Sequence, residues 1–329
     1  MKAMSRRVNT LSVFTLCLAA LLPARVSHAQ LLLSDDFSGA SLSPLWAVQR
    51  GYASLVNGWV RTQGSTPGSR DAFIMAGEGS DWSNYQFSTK FHADGGGNNW
   101  YNSLINFRVQ SQFGWSQGTF YSLYIFPPNS AIPPADSIQL VKFTSTSASL
   151  IDPTYYASGL MTAGDNAIDI SAIGGSFTIK VNGVPAASFL DADPIPTGGV
   201  ALGSIWESAT RYDYAYVAPI YTINALYDLT KVHKGGSTVP ITLQLLGGNG
   251  VNASSPSIAV TAISVTNVGT GATVAATAPG NSNPNNTFRY DSGEYLYNLK
   301  TKGYAAGTYN LNFIAGSDPT LHSTPFLIR

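Results

Sequence analysis

Ser176–Gly183 reads SFTIKVNG. Phe177, Ile179 and Val181 alternate with Ser176, Thr178 and Lys180, and the run closes on Asn182-Gly183. Alternation with period two is the pattern of a half-buried strand, because successive side chains leave opposite faces. An Asn-Gly pair directly after it predicts a tight hairpin, whose turn needs positive φ at both central residues. Outward from this stretch the same pattern recurs. YQFSTKFH sets Tyr85, Phe87 and Phe91 against Gln86, Ser88, Lys90 and His92. SLINFRVQ, TFYSLYIF, SIQLVKF, GGVALGSIW and RYDYAYV read as further strands. No segment carries a convincing helical period. Many strands at short spacing predict an antiparallel sandwich or a closed barrel.

The ends and the composition set the compartment. Lys2, Arg6 and Arg7 precede an apolar run from Leu11 to Leu22, and Ser27-His28-Ala29 supplies small residues before a cleavage point. This predicts a secretory signal peptide over residues 1–29 and a mature start at Gln30. The apolar run is well short of the ~20 residues a spanning helix needs, and no later stretch is apolar enough. Cys17, the only cysteine, leaves with the signal. The secreted chain then holds together by packing alone, which excludes a small disulfide-stapled scaffold. Charged residues are 11% of the chain, against a usual share of about 25%. Without the signal the balance is 14 basic against 18 acidic residues, near −4. There is no basic patch, so nucleic acid and anionic membrane are poor partners. The expected location is extracellular or at the cell surface.

The texture changes near Ala218-Pro219. All six tryptophans (Trp46, Trp59, Trp82, Trp100, Trp115 and Trp206) precede it. After it the chain is rich in Val, Ala, Thr, Asn and Gly. The expected domains are residues 30–219, a large two-sheet sandwich, and 220–329, a smaller one.

Two resemblances follow. SDDFSGASLSPLWAV, NGWVRTQG, DWSNYQFSTKF and SLINFRVQ, closing on GGVALGS and RYDYAYV, are similar in order to the concanavalin-like lectin/glucanase (LamG-like) jelly roll. The resemblance covers roughly residues 31–218 and implies a jelly-roll sandwich that handles carbohydrate, with Trp46, Trp59 and Trp82 in packing positions. A keto-disaccharide hydrolase family shares a similar jelly roll. KGGSTVPITLQLLGGNG, NNTFRYDSGEYLYNLKTKG and GTYNLNF resemble a C-terminal Ig-like β-sandwich repeat of bacterial extracellular proteins, over about residues 222–329. It implies an accessory role. The fold class expected is all-β: a two-sheet antiparallel jelly roll plus a smaller Ig-like sandwich.

Acid–base chemistry of the glucanase kind places carboxylates at alternating positions of one strand. Only three glutamates exist, Glu78, Glu207 and Glu294, and none stands in such a pattern. Carboxylates of separate segments, such as Glu207 and Asp94, could still meet in space. His92, His233 and His322 show no triad or metal motif, and His92 reads as a solvated strand residue. Calcium is the metal expected, held by Asp35 or Asp36 with Asp213, because first and last strands of a jelly roll commonly pair and calcium takes oxygen ligands. Turn capping is the rival reading of these aspartates.

The binding residues come from DGGGNNWYNSLINFR. Strict alternation directs Ile105, Phe107 and Val109 into the core and Asn106, Arg108 and Gln110 to the concave face. Trp100, Tyr101 and Trp115, in glycine-flanked loops, and Tyr124 add rings, for which packing in the core or at the sheet edge is the rival reading. Sugars pack a C–H-rich face on rings and need polar partners at their rims. The ligand site expected is therefore Trp100, Tyr101, Asn106, Arg108, Trp115 and Tyr124, and the partner a polysaccharide or glycoconjugate. The reading is a secreted, non-catalytic carbohydrate-binding protein. A secreted glycoside hydrolase or keto-disaccharide hydrolase-like enzyme, and a surface adhesion or structural protein, are the alternatives.

Overall fold

The chain crosses between two sheets from its first strands, and long runs of strands then stay within one sheet. The structure is a computed structural model that describes residues 31–329, except 65–70, 97–101, 115, 129, 131–134, 146, 152–155, 158 and 206–207. The expected signal segment therefore lies outside the described residues. No described helix is long and apolar enough to cross a membrane.

The early strands are β1 (Leu33–Asp35), β2 (Ala47–Arg50), β3 (Tyr52–Val56), β4 (Trp59–Gln63), β5 (Ala72–Ala76) and β6 (Tyr85–Gly96). Next come β7 (Asn102–Gly114), β8 (Gln117–Phe126), β9 (Ser137–Thr144), β10 (Ser147–Leu150) and β11 (Tyr156–Ala157). Then follow β12 (Asn166–Ile173), β13 (Ser176–Val181), β14 (Val184–Leu190), β15 (Gly199–Ile205) and β16 (Ser208–Pro219). One eight-stranded sheet has the order β14-β13-β12-β6-β16-β4-β3, with β1 on β16. The other runs β10-β9-β8-β7-β15-β5-β2, with β11 on β9. All these pairings are antiparallel, and the two sheets form a jelly-roll sandwich.

Alternation explains the packing. β13 alternates exposed and buried residues through SFTIKV, and Phe177, Ile179 and Val181 all lie in the inter-sheet core. Asn182 (φ 51°) and Gly183 (φ 79°) make the tight turn into β14, as their sequence requires. From the first sheet Phe87, Phe91, Tyr212 and Val217 enter the same core, and from the second Ile105, Phe107, Tyr121 and Leu123. Trp46 is buried there and Trp82 packs at its margin. Trp59 departs from the packing position that the resemblance implied. It sits on the outward face of the first sheet, with Lys90 5.1 Å and Arg211 5.5 Å from its ring.

Nine more strands follow Pro219: β17 (Thr222–Ala225), β18 (Val232–His233), β19 (Thr238–Leu246), β20 (Val260–Asn267), β21 (Thr273–Ala275), β22 (Arg289–Asp291), β23 (Glu294–Lys300), β24 (Gly307–Ala315) and β25 (His322–Ile328). They form a four-stranded sheet, β17-β19-β23-β22, and a five-stranded one, β18-β25-β24-β20-β21. A separate core joins them, with Ile241, Leu243 and Tyr297 facing Val260, Leu311 and Phe313. Around the junction the Ile220 N–H donates to Asn84 O, and Gly248 lies against Ser83 and Asn84.

Candidate functional site

The outward face of the second sheet carries an arrangement that the alternation of β7 only half foretells. Ladder register places Met75, Ala201, Asn106, Ser122 and Val141 side by side across five strands. The next row is Phe73, Gly203, Leu104, Tyr124 and Gln139. Ala201, Gly203 and Ser122 are small, so the middle of the face is low between Phe73 and Met75 on one side and Val141 on the other. Gly203 has a steric reason to be glycine. A Cβ there would stand 2.3 Å from the Phe73 ring and 2.7 Å from Ala72 O.

Three polar atoms on this floor are buried and have no hydrogen-bond partner: Asn106 Oδ1, Ser122 Oγ and Tyr124 Oη. Asn106 and Ser122 are cross-strand neighbours and Tyr124 stands in the adjacent row. The Asn106 amide nitrogen donates to Gln112 Oε1 at 3.0 Å, which fixes the carboxamide and leaves its oxygen free. The Tyr124 hydroxyl differs from those of the buried tyrosines, although its ring is only partly buried. Tyr85 bonds Gly199 O and accepts from the Arg108 N–H, Tyr121 bonds Asp191, and Tyr212 donates to Leu104 O and Gly203 O. Burial alone pushes the Tyr124 phenol above its ordinary value. Apolar residues flank the floor: Phe73, Leu104 and Ile205 at one end, and Met75, Val109, Phe120, Val141 and Phe143 at the other.

Two of the expected side-chain directions are corrected. Arg108 is not on this face. Its φ is +52°, and the ladder between β7 and β8 shifts register between Phe107 and Ser111. Such a bulge breaks the period of two. The Arg108 side chain turns into the sandwich, where it is 1% exposed. Its guanidinium donates to Ile195 O at 2.9 Å, to Pro196 O, and at 3.4 Å to Ala172 O and Gly174 O. It also lies over the Tyr85 ring at 5.6 Å. Burial lowers the Arg108 pKa, against the opposing effect of Tyr85 and Tyr121. Val109 moves the opposite way, out of the inter-sheet core and onto the outward face with Phe120. Gln110 bonds the backbone and hydroxyl of Thr197. Asn106 is on the expected face but wholly buried, so the floor is sealed, not an open groove. Trp100, Tyr101 and Trp115 lie outside the described residues, as do Trp206 and Glu207.

The expected calcium ligands are engaged separately. Asp35 accepts from the Phe37 N–H at 2.8 Å and from the Trp46 indole at 2.9 Å. Asp36 caps the turn at Ser38 through its N–H and hydroxyl. Asp213 pairs with Lys90. Strands β1 and β16 do pair, with Asp35 opposite Ala215. Among the described residues no group of three His, Cys, Asp or Glu side chains is arranged to hold a metal ion.

The first sheet's outward face has a different character. Asp94 accepts from Arg211 Nε at 2.7 Å and Arg61 Nε at 3.2 Å. His92 is half-buried, with Nδ1 2.7 Å from Asp165 Oδ1 and Nε2 3.8 Å from Asp94. This lattice is already neutralised by its own members.

No family model matches the chain, and no curated protein matches it. Solved structures with a similar fold exist. The carbohydrate-binding module CBM66 from Bacillus subtilis aligns at 16% identity and TM-score 0.40, over 54% of this chain and 99% of its own. A galectin-like protein of unknown function from Bacillus subtilis aligns at 12% and 0.45, over 58% and 96%. A Bacillus licheniformis β-glucanase aligns at 12% and 0.40, over 56% and 97%.

Proposed function

We propose that the chain is a secreted, non-catalytic carbohydrate-binding protein that holds a glycan on the outward face of the second sheet. One observation carries this: three buried polar atoms of neighbouring residues, Asn106 Oδ1, Ser122 Oγ and Tyr124 Oη, lack partners. Buried polar groups are almost always paired, and each orphan costs about 1–3 kcal/mol. Three orphans on one low floor invite a ligand that brings its own donors and acceptors. The two floor rows hold no charged side chain, which favours a neutral ligand. Hydroxyls for the orphan atoms and C–H faces for the apolar flanks are what a sugar offers. The rival hydrolase reading needs two carboxyls about 5–10 Å apart. The described carboxylate it would use, Asp94, is held between two guanidiniums on the other sheet.

The test is a glycan array on the full chain and on a Ser122→Ala, Tyr124→Phe double variant, with and without calcium. The wild type should bind, and the variant should lose that binding while keeping its fold. Undiminished binding by the variant overturns the site. Turnover of a bound polysaccharide overturns the non-catalytic reading. Because the floor is sealed, association should be slower than the ~10⁵–10⁷ M⁻¹s⁻¹ of a preformed surface.

A further inference from the structure

The smaller sandwich has a cavity of its own, ≈ 660 Å³ and open on one side, between the β20–β21 hairpin and the turn from β23 to β24. Lys300 and Lys302 line it, and its lining contains no Asp or Glu. Neither lysine makes an ion pair with a described residue. Two cations in a recess without a counter-ion attract an anion, and charge-assisted bonds are the strong ones.

Part of the lining is aromatic and held in place. Tyr304 stacks on Tyr309 at 5.0 Å and 22°, and Tyr309 on Phe326 at 5.6 Å and 18°. The Tyr309 hydroxyl donates to Ala305 O, and the Tyr304 N–H to Thr301 O, so the turn that carries the outer ring is tied down. Tyr309 is buried within the stack, whereas Tyr304 is half-exposed at the cavity. Asn267 spends its side-chain oxygen on the Gly269 and Thr270 amides. Its NH₂ group has no partner among the described residues and remains to donate at the rim. Nearby main chain is already paired, with Ala276 N–H on Ile263 O and Lys300 N–H on Thr277 O. β21 is nevertheless an edge strand, so an acidic peptide is the control for strand-like binding.

We propose that this cavity binds the carboxylate-bearing units of an acidic polysaccharide, with the sugar ring on Tyr304 and its carboxylate taken by Lys300 and Lys302. The site is independent of the floor on the larger sandwich. The test is calorimetry of the full chain with tetrasaccharides of galacturonate, mannuronate and hyaluronan, with cellotetraose as the neutral control. A glutamate-rich hexapeptide is run beside them. At least one uronate oligomer should bind, and any binding of cellotetraose should be lost in the Ser122→Ala, Tyr124→Phe variant and unchanged by substitution of the lysines. The Lys300→Gln, Lys302→Gln double variant should weaken uronate binding about tenfold or more, and added salt should do likewise. Both lysines are exposed, so the variant should fold, which circular dichroism checks. The Ser122→Ala, Tyr124→Phe variant should bind uronate as the wild type does, separating this site from the other. Failure of every uronate at about 10 mM overturns the proposal, since even weak single-site sugar binding is visible there. So does binding that ignores the lysine substitutions, or tighter binding of the acidic peptide.

Discussion

Removing one oxygen atom should make this protein more stable and less useful. Tyr124→Phe deletes a buried hydroxyl that has no partner. Burying such a group unpaired costs about 1–3 kcal/mol in proteins. The deletion recovers that penalty, less the small void left by the oxygen, so a gain of about 1 kcal/mol is expected. Tyr212→Phe is the matched control. Its hydroxyl shares its one proton between Gly203 O at 2.7 Å and Leu104 O at 3.0 Å, and its removal loses that buried bond. That change should cost about 1–3 kcal/mol. All six tryptophans precede residue 219, so denaturation followed by tryptophan fluorescence reports the larger sandwich alone. In melting temperature the Tyr124→Phe gain is about 2–4 °C for a domain of this size. A loss of stability in Tyr124→Phe comparable to that of Tyr212→Phe would mean the phenol is satisfied in the folded protein. The orphan-atom argument for a ligand would then fail with it. A gain in stability with unchanged glycan binding would separate the two ideas, and only the binding site would be lost.

Other perturbations test the scaffold. Arg108→Lys keeps the charge but cannot span four carbonyls with one ammonium, and should cost about 2–4 kcal/mol by the same fluorescence assay. Asp191 is opposed by burial, yet hydrogen bonds from Tyr121 and Lys142 hold its carboxyl below the ordinary value. A depressed carboxyl stabilises the fold above its unfolded pKa of about 3.9, and the benefit is lost as pH falls through the lower folded value. Wild-type stability should therefore drop across that acid window, and Asp191→Asn should flatten the drop. A Cβ at Gly248 would stand 2.4 Å from Ser83 Oγ and 2.7 Å from Asn84 N. Gly248→Val should raise proteolytic cutting near residues 219–222 while both sandwiches keep their melting temperatures.

Most of the sandwich was legible because alternation is cheap to read. YQFSTKFH buries Tyr85, Phe87 and Phe91, and SFTIKVNG forms its strand and turn where the residues imply. What alternation cannot show is an inserted residue. In SLINFRVQ nothing marks Arg108 as a left-handed position, since neither glycine nor asparagine stands there. The bulge sends the charged side chain inward, against its ordinary preference. Four backbone carbonyls from distant segments make that possible, and no local pattern announces them. RYDYAYV hides a similar shift between Tyr212 and Ala215. The lattice around Asp94 was invisible for a related reason: its members come from β4, β6 and β16, which register brings together only after folding.

The bulge is also what divides the labour of the two outward faces. Were alternation unbroken, Arg108 would stand beside Asn106 and place a cation on the floor. Any neutral ligand would then have to displace water from a guanidinium, a desolvation that costs more than a sugar hydroxyl returns. Turned inward, the guanidinium instead ties β7 to the segment at Ile195–Pro196 and to the end of β12 at Ala172–Gly174. The outward rows are left with orphan oxygens and apolar neighbours. On the opposite sheet Arg61 and Arg211 pair with Asp94, and Lys90 with Asp213, in partial contact with water. Surface pairs of that kind gain little and bind little. The unsatisfied partners on which the proposed glycan site rests are therefore on the second sheet, uncharged because the one arginine of that strand turns inward.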